Sequence, residues 1–140
     1  GNEKMGKSLG NAIYLSDTPE EITKKVMSAV TDPNRIRKDD KGNPDICMVA
    51  YYHDLFTGKN EYKQVCEECR AGTRGCVACK KQLAQNIIDF LEPMREKRRY
   101  YEERPELVDK LLIEGTEKAR RTAKETMKKV KRAMKLDYFE

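Results

Sequence analysis

Residues 76–94 read CVACKKQLAQNIIDFLEPM, and within them Leu83, Ala84, Ile87, Ile88, Leu91 and Met94 recur at intervals of three and four. That spacing sets the apolar side chains on one face of an α-helix, so a long helix with one buried face is expected here, with Pro93 as a possible kink. The pattern continues downstream. Pro105 restarts a helix carrying Leu107, Val108, Leu111 and Leu112, and Gly115-Thr116 is expected to interrupt it. Residues 117–136 then place Ala119, Ala123, Met127, Val130 and Met134 along one seam, which should pack lengthwise against the earlier helices.

Upstream the signals are those of helix starts. Thr18-Pro19-Glu20-Glu21 supplies a capping residue, a proline at the first helical position and a glutamate three residues after the cap. A helix to about residue 30 follows, with Ile22, Val26 and Val30 on one face. Residues 31–43 hold turn formers and charges with almost nothing apolar, and read as a solvated loop. Asn43-Pro44-Asp45 starts a second helix carrying Ile46, Cys47, Val49, Ala50 and Phe56, and Thr57-Gly58-Lys59 breaks it. Asn60 caps a short helix through Cys69, and a glycine-bearing turn follows at 71–75. The expected fold class is all-α, a helical bundle, with residues 1–16 a loop and connection and residues 17–140 the helical domain.

Composition agrees with this. Charged and hydrophobic residues each make up 38% of the 140-residue chain and tryptophan is absent, which suits narrow apolar stripes on polar helices. The excess of 29 Lys and Arg over 24 Asp and Glu is modest, so the placement of charge matters more than its sum. With no long apolar run and no secretory signal pattern, a cytoplasmic protein without membrane contact is expected.

Of five cysteines, four fall between Cys66 and Cys79. Cys69, Cys76 and Cys79 form a Cys-x6-Cys-x2-Cys group around a glycine turn, and clustering of this kind points to metal ligation in a reducing compartment. Cys76 and Cys79 share one face at a helix start, where the thiolate form is favoured. The fourth ligand is either Cys66 or Cys47. With Cys66 the pattern is two Cys-x-x-Cys pairs, which suggests structural zinc. With Cys47 it is a remote cysteine plus a local trio, which an iron-sulfur cubane also accepts. His53, the only histidine, reads better as a polar helix residue than as a ligand.

Lys4-Met5-Gly6-Lys7-Ser8 places two ammonium groups and a hydroxyl on a glycine-containing loop, a way to hold a nucleotide's phosphates. Continued through Leu9-Gly10-Asn11-Ala12-Ile13, it resembles the Lys-Met-Ser-Lys-Ser signature loop of class I aminoacyl-tRNA synthetases, with Gly6 in place of the serine. Thr31-Asp32-Pro33, residues 76–84 and Glu114-Gly115-Thr116-Glu117-Lys118-Ala119-Arg120 are similar to the tryptophanyl branch in particular.

The resemblance implies a C-terminal anticodon-binding helical domain preceded by the signature loop. It implies that Lys4, Lys7 and Ser8 stabilise the ATP phosphates while tryptophan is activated, with Lys4 and Lys7 as the catalytic pair. It also implies tRNA(Trp) as partner and a homodimeric parent enzyme. A bacterial subset of that branch carries a four-iron, four-sulfur (4Fe-4S) cluster, and its ligand positions match Cys47, Cys69, Cys76 and Cys79, leaving Cys66 spare. By the same resemblance the nucleotide-binding fold and tryptophan pocket would precede residue 1, and the 140-residue chain alone is expected to be inactive.

Residues 117–135 hold nine Lys or Arg and two acids, a composition that favours phosphates. Arg74, beside the cysteines, and Arg120 and Arg121 are the expected nucleic-acid contacts. The rival reading is a non-enzymatic zinc module that grips RNA or a protein through this basic helix.

Overall fold

The computed structural model describes residues 6–37, 39–136 and 138. They form five α-helices, Pro19–Ser28 (α1), Met48–Phe56 (α2), Lys59–Ala71 (α3), Cys76–Glu102 (α4) and Pro105–Ala133 (α5), with single 3-10 turns at Lys7–Leu9 and Pro44–Ile46. No strand occurs among the described residues, so the all-α expectation holds. Compactness divides the chain at 96/97, inside α4. No helix of the described residues is long and apolar enough to cross a membrane.

In the first unit, local chemistry sets the start of α1. The Thr18 hydroxyl accepts from the Glu21 N–H at 3.2 Å while the Glu21 carboxylate accepts from the Thr18 N–H at 2.8 Å, the reciprocal pair expected. Asp17, just before the cap, is 6% exposed and takes Lys25 Nζ at 2.6 Å, which ties the entry of α1 to its last turns. Ala29 is extended at the end of α1 (φ −60, ψ 143), so Val30 leaves the apolar face and is 55% exposed.

The core is Ile22 and Val26 of α1, Val49 of α2, and Leu83, Ala84, Ile87 and Leu91 of α4. The stripe read from residues 76–94 is therefore its spine. Pro93 sits inside α4 without ending it. Lys80 adds a polar tie, donating to the Met27 carbonyl at 2.9 Å.

The second helix does not start at Pro44. Asn43 Oδ1 accepts from the Asp45 N–H at 3.0 Å, close enough in sequence to tighten the chain into one 3-10 turn. Cys47 is then extended (φ −95, ψ 117), and α2 begins at Met48.

In the second unit, α5 runs unbroken through Gly115 and Thr116, contrary to the expected interruption. A glycine costs an exposed helix only about 1 kcal/mol relative to alanine, and strong helix formers flank it here. No residue of α5 is buried. Along its apolar seam Met127 is 53% and Met134 62% exposed. Within this unit the turn into α5 is held by Arg104, whose Nη1 donates to the Tyr100 carbonyl at 2.9 Å and whose guanidinium lies 4.1 Å from the Tyr100 ring centroid.

His53 of α2 is fully buried. Its Nε2 lies 3.1 Å from the Cys79 carbonyl, an acceptor only, so Nε2 carries the proton and Nδ1 is the acceptor. The Thr57 hydroxyl, 2.8 Å from Nδ1, then donates to it and itself accepts from Asn86 Nδ2 at 2.8 Å. The polar relay so formed joins α2 to α4 inside the core.

Burial holds the His53 imidazole below its ordinary 6.5, a tendency the Cys79 carbonyl opposes and the Arg74 charge reinforces. Below pH 6.5 the unfolded chain takes up a proton that the folded chain resists, so stability present above that pH is lost as the pH falls through it. Urea unfolding followed by circular dichroism is expected to show this slope in the wild type and not in His53→Ala, which is itself less stable by about 2–4 kcal/mol.

Candidate functional site

Cys47, Cys69, Cys76 and Cys79 line one small cavity together with Arg35, Arg74, Val49, Ala50 and Val65. Three different local structures bring the thiols there. Cys47 sits in the extended break before α2, Cys69 on the last turn of α3, and Cys76 and Cys79 on the first turn of α4. Cys66 is not part of the lining. It is buried one turn earlier on α3. Among the described residues, no three His, Cys, Asp or Glu side chains are drawn together tightly enough to hold a single metal ion.

Loop 31–42, expected to be solvated, is pinned down at this cavity. The Asp32 carboxylate is 5% exposed and accepts the Asn34 N–H at 2.9 Å on one oxygen and the Asn43 N–H at 2.8 Å on the other. Those bonds, the Asn43 one foremost, hold its carboxyl below the usual range. Gly42 next to it is buried and donates to the Cys69 carbonyl at 2.9 Å. A Cβ on Gly42 would lie 2.6 Å from the Cys69 sulfur. Gly72, which ends α3 in the left-handed region (φ 76), is pressed as closely from the other side, since a Cβ there would meet the Asp39 carbonyl oxygen at 2.5 Å. Sequence reading anticipated the glycine turn that holds Gly72, but gave Gly42, Asp32 and Arg35 no place at the site.

Two guanidinium groups reach the thiols. Arg35 Nη1 lies 3.8 Å from the Cys69 sulfur and its Nη2 donates to the Arg74 carbonyl at 2.6 Å. Arg74 lines the same cavity as the Cys79 thiol, whose charged form its guanidinium favours, and donates at 2.7 Å to Glu68. Burial pushes the Cys79 thiol up to about 11 despite Arg74, and pushes the Cys69 thiol up as well. The donor set is therefore four half-buried thiols beside two cations. Arg74 Nε is also buried there and lacks an acceptor, which an anionic group in the cavity would supply.

Residues 1–92 match the family model described as tRNA synthetases class I (W and Y). The chain belongs to the class I tRNA synthetase family. Among curated members of the family, the tryptophan–tRNA ligase of Aquifex aeolicus is 48% identical over 134 residues, covering 95% of this chain and 34% of the relative. That of Thermotoga maritima is 43% identical, covering 95% and 41%. The chain thus spans about a third to two fifths of the length of these relatives. A crystal structure of Campylobacter jejuni tryptophanyl-tRNA synthetase, complexed with ADP and tryptophan, superposes with a TM-score of 0.82 at 26% identity over 95% of this chain and 41% of that one.

The family's signature loop is partly described. Lys4 lies outside the described residues. Lys7 and Ser8 are exposed on the 3-10 turn, and the loop is closed by Gly6 N–H donating to Asn11 Oδ1 at 2.8 Å. Of the arginines expected to contact nucleic acid, Arg120 and Arg121 are exposed on α5. Arg74 is not: its side chain is 16% exposed and engaged as described above.

Gly42→Ala is expected to force the Cys69 sulfur off its position or lift the loop from α3, an overpacking cost of about 1–3 kcal/mol that calorimetry would read as a lower Tm. An unchanged Tm would show that the loop yields freely.

Proposed function

We propose that this chain is the C-terminal, anticodon-facing part of a tryptophan–tRNA ligase, which activates tryptophan with ATP, charges tRNA(Trp) and works as a homodimer in the cytoplasm. The observation that carries the reading is a chain of the class I family with two lysines and a serine in its signature loop, Lys7 and Ser8 exposed, ahead of a helical domain. In activation, a tryptophan carboxylate oxygen bonds to the α-phosphorus of ATP as the bond to pyrophosphate breaks. Charge grows on the departing phosphates. The ammonium groups of Lys7 and Lys4 and the Ser8 hydroxyl are suited to stabilise it, an electrostatic task that requires donors fixed before the reaction. Arg120 and Arg121, exposed on basic α5, suit contacts with tRNA phosphates.

We further propose that Cys47, Cys69, Cys76 and Cys79 hold a four-iron, four-sulfur cluster with a structural role, in preference to zinc. Support comes from the four thiols of one cavity, from the exclusion of Cys66 from it and from the unmatched Arg74 donor. The cluster, when bound, supplies iron-thiolate bonds that join α2, α3 and α4.

In the ligase carrying this chain, Lys7→Ala is expected to slow tryptophan-dependent ATP–pyrophosphate exchange by about 100-fold or more, and an unchanged rate would overturn the ligase reading. Protein purified without oxygen is expected to hold about four irons per chain and absorb near roughly 400 nm. Cys76→Ser and Cys47→Ser lose both signals and Cys66→Ser keeps them. A colourless protein whose single zinc is lost in Cys66→Ser would replace the cluster with the zinc site.

A further inference from the structure

We propose that Arg74 is a positioning residue of the cysteine site: braced by Glu68, its guanidinium holds the Cys79 sulfur in place and offsets the negative charge of the ligated group, so it is not a tRNA contact. The inference rests on the cluster reading given above.

Arg74 is fixed from both ends. Its carbonyl takes Arg35 Nη2 at 2.6 Å and its Nη1 meets Glu68 at 2.7 Å. Glu68 is held in turn, its carboxylate by Gln64 at 2.8 Å and its carbonyl by the Thr73 N–H at 3.0 Å and hydroxyl at 3.2 Å. A guanidinium only 16% exposed and already paired with Glu68 has to break that pair before it meets a phosphate or a base. Its remaining donor, Nε, is buried among the residues lining the cavity and has no partner there. Arg74 is therefore held by Glu68 on one side and lines the thiol cavity on the other, with one buried donor still unmatched.

The charges point the same way. Four thiolates around an iron-sulfur core leave a net negative group, and the burial of Cys79 makes that charge costly without a counter-ion. One-electron reduction adds a further negative charge. A fixed cation stabilises the reduced form more than the oxidised form, so its removal makes the midpoint potential more negative.

The test uses the full chain, loaded with iron and sulfide without oxygen and titrated with dithionite as the electron donor. Arg74→Gln is expected to shift the midpoint to more negative values and to release iron to a chelator roughly tenfold faster or more. Arg74→Lys returns the charge and restores most of the potential. It does not restore retention, because an ammonium lacks the two-pronged fork. Glu68→Gln falls between these and the wild type. An Arg74→Gln chain that fails to load while Arg74→Lys loads is the expected result in stronger form.

An unchanged potential and iron-release rate in Arg74→Gln would overturn this inference while leaving the cluster standing. So would a fall in tRNA affinity with the potential unmoved. A lower Tm alone, with the potential of the wild type, would mark Arg74 as merely structural and overturn the inference too. Wild-type protein that takes up no iron would overturn the cluster reading and this inference together.

Discussion

The buried imidazole of His53 is the constraint around which the first unit is arranged. It sits in the core with a carbonyl on one nitrogen and a hydroxyl on the other, so its orientation and tautomer have only one satisfied solution. The carbonyl belongs to Cys79, on the first turn of α4. A core interaction between α2 and α4 thereby sets the depth at which two of the cysteines enter their cavity. Ile22, Val26 and Val49 pack on the same helix face from the other elements, so apolar packing and the polar relay enforce the same geometry.

Around the cavity the supports are backbone contacts more than side-chain ones. Asp32 closes its loop onto itself, Gly42 rests on the end of α3, and Gly72 lets α3 end against residue 39. Each contact leaves almost no space, which means that the position of Cys69 depends on residues about thirty positions earlier in the chain. Arg35 completes the linkage, touching both the Cys69 sulfur and the Arg74 carbonyl.

What the amino-acid sequence disclosed follows the range of the interactions involved. The α1 cap is a matter of four adjacent residues, and Thr18 and Glu21 do what their spacing suggests. The stripe at Leu83, Ala84, Ile87 and Leu91 was legible because periodicity survives folding. Spacing left Cys47 and Cys66 level as a fourth thiol, and the break at Cys47 was hidden, since Asn43-Pro44-Asp45 opens a 3-10 turn as readily as an α-helix. Gly42 was missed because its partner, Cys69, is distant in the chain, and Asp32 because a loop closed by one carboxylate leaves no periodic pattern. The apolar seam of α5 was legible as a face for the same reason as the α4 stripe.

The extended break at Cys47 has a consequence for chain statistics. This sulfur belongs to a segment separate from the local trio, with twenty-one residues between it and Cys69. Any group bonded to both acts as a removable cross-link around a closed loop of that size. By the entropy of loop closure such a link disfavours the unfolded ensemble by about 3 kcal/mol, a large part of what a small domain has to spare. The resistance of this unit to unfolding would then track the supply of whatever is bound, falling when that supply fails even though no residue has changed.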